Sequence, residues 1–166
     1  MSPSILFDVE PLLPITHLNL NTIPKYSKIF LSFGEIDCRP DEGLLKAARK
    51  SGADLKELVL TTVEGYLDWF FRLNKQISCE LYFLTVPAPV YDNRFSEAVN
   101  KEVVEVRKIF NICLMDIALK YNFYIIDLYT PTKNADGYSN MLYHVDSAHL
   151  GYEALELIQN HLKLSE

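Results

Sequence analysis

The chain has 166 residues, 49% of them hydrophobic and 23% charged, the balance of one globular domain. Six glycines and eight prolines exclude a collagen-like or low-complexity chain, and ten tyrosines, nine phenylalanines and one tryptophan exclude a disordered one. The net charge of −6 argues against a nucleic-acid partner, which calls for a basic stripe.

No apolar run approaches the ~20 residues that cross a bilayer, so no membrane partner is expected. The start, Met1-Ser2-Pro3-Ser4-Ile5-Leu6-Phe7-Asp8, lacks the basic and continuously apolar stretches of a signal peptide. Cys38, Cys79 and Cys113 are odd in number and widely spaced. Reduced thiols and a cytoplasmic location are the expectation, with no cofactor and no structural zinc.

Residues 1–25 read as an N-terminal extended segment. Pro3, Pro11, Pro14 and Pro24 disfavour a central strand or a long helix there, leaving short extended pieces at 5–7 or 15–20. Residues 26–166 read as a single α/β domain. Lys28 to Phe33 is a short apolar run stopped by Gly34, as in a buried parallel strand. Pro40 opens a short helix through Lys50, closed by Ser51-Gly52. Asp54, with Glu57 three residues on, caps an amphipathic helix that runs to about Asn74. Its Trp69 and Phe70 suit either the core or a dimer contact.

A second strand spans Glu80 to Val86 and is ended by Pro87-Ala88-Pro89. A long helix from about Ser96 to Tyr121 carries Val99, Val103, Val106, Phe110, Cys113 and Ile117 on one stripe. Phe123 to Leu128 is the third strand, and a last helix runs from about Leu150 to Leu162. Alternating strands and helices predict βαβ units on a mostly parallel sheet. Three strands leave at least one sheet edge open, to be covered by the N-terminal segment, a second copy or a partner chain.

Ligands of open α/β sheets bind beyond the carboxyl ends of the strands. The first strand ends in Gly34-Glu35-Ile36-Asp37-Cys38-Arg39, which gathers two carboxylates, a thiol and a guanidinium. Glu35, Asp37 and Arg39 suit an anion-binding or substrate-orienting cluster, or equally an internal ion pair. Cys38 beside Arg39 suits a thiolate, or a buried small apolar residue. After the third strand comes His144-Val145-Asp146-Ser147-Ala148-His149-Leu150-Gly151. Three residues separate Asp146 from His149, which lets the carboxylate hold one ring nitrogen while the other serves as a general base. The plainer reading of Asp146 is a cap for the following helix. His144, Asp146 and His149 also make a conceivable metal set, without the spacing of zinc enzymes.

This order of blocks resembles the SGNH/GDSL hydrolase family, over about residues 26–163. Asp146 and His149, with Leu150 and Gly151 behind them, look like the family's last Asp-x-x-His block, and Gly34 and Asp37 look like its Gly-x-Asn-Asp block. The Gly-Glu-Ile-Asp-Cys-Arg spelling is similar to one bacterial branch. The resemblance implies a three-layer α/β/α, flavodoxin-like fold, with Asp146 and His149 catalytic and Gly34, Glu35, Asp37 and Arg39 at the substrate. Its substrates would be esters or acylated sugars.

The departures are as clear. No Gly-Asp-Ser or Gly-x-Ser-x-Gly occurs, and Ile36 stands at the oxyanion asparagine. Ser2, Ser4, Ser32 and Ser147 are poor substitutes for the missing nucleophile. Against the family pattern the chain reads as a variant or truncated member without its first strand, first helix and serine block. Two functions remain: an incomplete or inactive ester hydrolase, and a non-catalytic module that binds a ligand or partner at the same edge.

Overall fold

The computed structural model describes residues 23–163. The extended pieces expected at 5–7 and 15–20 lie outside that range, as do Ser2 and Ser4. Three parallel strands form the sheet in the order β1 (Lys28–Ser32), β2 (Glu80–Leu84), β3 (Tyr124–Ile126). In register, Phe30 pairs with Tyr82, and Tyr82 with Tyr124. Parallel neighbours need crossovers. Helices α1 (Gly43–Ser51) and α2 (Leu55–Ile77) provide the first, and α3 (Glu97–Lys120) the second. A single turn, α4 (Tyr129–Thr132), and α5 (Leu155–Lys163) follow among the described residues.

Strand alternation divides the core between the two faces of the sheet. Leu81 and Phe83 meet Leu44, Val63, Leu67, Phe110 and Leu114 in one large cluster under α1, α2 and α3. Tyr82, Leu84, Ile126 and Leu128 point the other way, against Leu150, Leu157, Ile158 and Leu162 of the α5 side. Helices on both faces make the layers α/β/α. The rings of Phe30, Tyr82 and Tyr124 stack across the second face at centroid distances of 5.2 and 4.5 Å.

The expected elements are present with shifted ends. Asp54 caps α2 by accepting from the Glu57 amide, and the helix runs on to Ile77. Ser96 caps α3 in the same way, accepting from the Val99 amide. Helix α1 begins at Gly43 rather than Pro40 and closes on Gly52 in the left-handed conformation. The strands are shorter than their apolar runs because side chains take over the backbone pairing. Past β2, the Asn111 amide donates to the Val86 carbonyl and accepts from its N–H, each at 2.8 Å. The helix expected from Leu150 starts at Leu155, after a 3₁₀ turn over Tyr152–Ala154. No helix among the described residues is long and apolar enough to cross a membrane.

Candidate functional site

The chain turns sharply at the carboxyl end of β1. Gly34 has φ +95°, and a Cβ there would lie 2.4 Å from the Phe110 ring. Only glycine fits that position. A 3₁₀ turn over Ile36–Cys38 follows, and its three side chains and that of Arg39 behind it take four directions. Ile36 is exposed, and Cys38 is fully buried. Asp37 accepts from the Tyr66 hydroxyl at 3.3 Å. Its burial raises the carboxyl pKa. Arg39 reaches back to Glu35, with Nε and Nη2 within 2.9–3.2 Å of the carboxylate.

The thiolate reading of Cys38 is therefore corrected. Burial pushes its thiol pKa up, and the Arg39 guanidinium is engaged by Glu35 and Glu42 instead. Glu35, Arg39 and the buried Arg107 form a short ion-pair chain, Arg107 Nη2 lying 3.5 Å from Glu35. Asp37 is not part of it.

The strap after β2 is held group by group. Asn111 takes both backbone groups of Val86, Arg107 Nη1 donates to the Pro87 carbonyl at 2.7 Å, the Ala88 N–H donates to Thr132, and the Ser139 N–H donates to the Pro89 carbonyl. Prolines 87 and 89 bring no N–H of their own, so no buried donor of the strap is left over.

The last wall is the loop 143–151, folded as a tight hairpin. The Val145 N–H donates to the His149 carbonyl at 3.0 Å, and the Gly151 N–H to the Tyr143 carbonyl at 2.6 Å. Val145 packs so close over Gly151 that a Cβ there would come within 2.7 Å of it. At the tip, Asp146 uses both oxygens. Oδ1 accepts from the Ala148 and His149 amides at 2.8 and 2.7 Å, and Oδ2 lies 2.8 Å from His149 Nδ1. The capping and pairing readings of Asp146 are thus one geometry, because the turn that fixes Oδ1 aims Oδ2 at the ring.

The two backbone bonds and then the ring hold the Asp146 carboxyl well below the usual range, at about 2. An ionised carboxylate only accepts, so Nδ1 carries the proton. In the neutral ring Nε2 is then the basic nitrogen, and it has no partner among the described residues. His144, five residues earlier, is different. Its Nδ1 lies 2.8 Å from the Ser139 hydroxyl, and burial followed by the charge of Arg107 lowers its pKa. No group of three potential metal ligands exists among the described residues, so the triple of His144, Asp146 and His149 does not assemble.

The three walls enclose a cleft of about 330 Å³, lined among others by Glu35, Arg39, Arg94, Arg107, Ser147 and Ala148. Comparison by sequence finds no matching family model and no matching curated protein. Comparison of structures finds matches. A GDSL-like lipase from Bacteroides thetaiotaomicron superposes with TM-score 0.61 at 14% identity, covering 92% of this chain and 67% of that one. The fold is that of the GDSL-like hydrolases. A phospholipase A1 from Streptomyces albidoflavus gives 0.58 at 13% identity, covering 89% and 74%. A Bacteroides fragilis protein assigned as an acylhydrolase gives 0.54 at 13%, covering 93% and 95%.

Within this GDSL-like fold, the first-strand block and the Asp-x-x-His block lie at the same edge of the sheet. No described serine is hydrogen-bonded to His149. Sequence reasoning missed Arg107, Asn111 and Thr132. The signal for the first two was present in α3, where Asn100, Val104, Arg107, Asn111, Leu114 and Ala118 form a second buried row at helical spacing. Polar residues in a buried row mark groups that the fold must satisfy.

Proposed function

We propose that the chain carries the acid–base half of an acyl-ester hydrolase centre, with His149 as general base and Asp146 as the residue that orients it. The observation that carries this reading is the 2.8 Å contact from Asp146 Oδ2 to His149 Nδ1, made by a carboxylate that two backbone amides already fix. With Nδ1 protonated, Nε2 accepts a proton from an attacking hydroxyl and returns it to the departing alcohol. Esters or acylated sugars are the substrate class, consistent with the lipase and acylhydrolase relatives in fold, and the cleft reaches this loop at Ser147 and Ala148.

The hydroxyl comes from a serine outside the described residues, from another chain, or from water. With water alone the site works weakly, because these groups act as a unit. Cys38, Cys79 and Cys113 are free thiols, in keeping with a cytoplasmic setting. A second copy or a partner chain against an open sheet edge belongs to the same reading.

Turnover of p-nitrophenyl acetate by the purified protein and by His149→Ala is the test. The wild type should exceed the variant by about tenfold to a hundredfold, at or below the low end of what a positioned base contributes, as a site without its serine should. Equal rates would end the catalytic reading. The second reading, a ligand-binding module without chemistry, would then stand, supported by the polar cleft built around Arg107.

A further inference from the structure

On one side the sheet ends at β1, and no described strand lies beyond it. Within a strand the N–H and C=O of one residue point to the same side, so pairing uses every second residue. The Glu80 N–H donates to the Ser27 carbonyl at 2.9 Å, and Lys28 stands in register with Glu80. Ser27, Ile29 and Leu31 therefore face β2, and Lys28, Phe30 and Ser32 direct their backbone groups outward. The same three residues are exposed, while Ile29 and Leu31 are half-buried. Three donors and three acceptors in a row are a template for another strand. Phe30 is 41% exposed, although its ring begins the stack that runs through Tyr82 to Tyr124. The chain does not reach β1 along this edge. The Tyr26 N–H donates to the Ser78 carbonyl, the Cys79 thiol lies 3.7 Å from the Pro24 carbonyl, and Ile23 packs on the large core. Residues 23–26 thus lie over the amino end of β2, inward of the free edge.

We infer that this edge pairs with the same edge of a second copy, antiparallel about a two-fold axis at Phe30. The outward set is symmetric about Phe30, so the edge is its own complement. Phe30 exchanges both backbone hydrogen bonds with Phe30 of the second copy, and Lys28 meets Ser32 on either side of it. All three donors and all three acceptors of each strand are used, and no like charges stand opposite. The ring stack runs on across the axis and covers the exposed face of Phe30. The pairing consumes the edge, so it closes at two copies. It rests on the open-edge part of the function proposed above and is independent of the chemistry at His149.

The test joins sedimentation with amide hydrogen exchange on the ¹⁵N-labelled full chain, from about 10 µM to about 1 mM, the range of a small interface. The mass should double across that range. Exchange of the Lys28, Phe30 and Ser32 N–H groups should slow by at least about threefold as the dimer fills, with Ile29 and Leu31 unchanged. Phe30→Lys sets two ammonium groups face to face and should stay monomeric, its amide spectrum reporting that it is folded. If that variant does not fold, exchange in the wild type still decides. Phe30→Cys should form a disulfide-linked dimer on mild oxidation, because directly paired Cα atoms lie about 5.5 Å apart, within disulfide reach. Leu119→Cys, equally accessible on α3, should not, and the chain's own thiols are buried. A monomer at every concentration would overturn the assignment. In that case protected N–H groups at Lys28, Phe30 and Ser32 would give the edge to another part of the same chain. A dimer that leaves those three groups unprotected, a dimer that survives Phe30→Lys, or equal cross-linking of the two cysteine variants would overturn it as well.

Discussion

Two aspartates at the same edge of the sheet are displaced in opposite directions. Asp37, at the end of β1, has its pKa raised, chiefly because it is buried. Asp146, at the tip of the loop 143–151, has its pKa lowered to about 2, chiefly by the amides of Ala148 and His149. The first carboxylate is tucked against Tyr66 on the large core. The second stands in water with both oxygens directed by the loop. The end of β1 has its carboxylates, thiol and Arg39 occupied by the fold, whereas the loop holds a charge ready beside an unengaged ring nitrogen. The groups at the strand end are already used by the fold, whereas the loop leaves one ring nitrogen open, and that difference is why the proposed base sits on the loop.

The largest effect that would sharpen this contrast is on stability at the strand end. Glu35→Leu removes the carboxylate facing buried Arg107 and should cost about 2–3 kcal/mol in urea unfolding. His149→Ala, on an exposed side chain, should cost less than about 0.5 kcal/mol. Similar losses for the two would break the contrast.

A smaller effect appears in acid. A carboxyl with a depressed folded pKa contributes stability that is fully present above its unfolded value, near 3.9. That contribution is lost as pH falls towards about 2 for Asp146. Asp146→Asn should therefore unfold with a flatter acid limb than the wild type in pH-dependent denaturation, and an unchanged limb would contradict the assigned hydrogen bonds.

The smallest effect has the opposite sign. Because the pKa of Asp37 is raised, its ionisation opposes folding at neutral pH, and stability grows as pH falls through the folded value. Asp37→Asn keeps an acceptor for Tyr66 and should change stability at pH 7 by less than about 0.5 kcal/mol, towards greater stability. A clear loss at pH 7 would show that the charge supports the fold.

Much of this was legible from spacing alone. Periodicity marked the three strands and the two long helices, and Asp54 and Ser96 cap where short polar side chains before apolar stripes are expected to. The meeting of Asp146 with His149 followed from three-residue spacing. What escaped depended on partners distant in sequence. Thr85 is a small polar residue in the apolar run just past β2, yet its hydroxyl accepts from the Leu128 and Tyr129 amides and so shortens β3. The four directions taken by Ile36, Asp37, Cys38 and Arg39 depend on a 3₁₀ turn that propensity does not specify. The role of Arg107 is not written in its own helix, because it depends on Pro87 and Glu35, which come from other elements.

The central claim is that Asp146 fixes His149 with its outer nitrogen basic. Long-range ¹H–¹⁵N correlation spectra of the imidazole rings, recorded at alkaline pH, read this directly. The account expects neutral His149 as the Nδ1–H tautomer with Nε2 unprotonated, reverting towards the common Nε2–H form in Asp146→Ala. A wild-type His149 already in the Nε2–H form would contradict it.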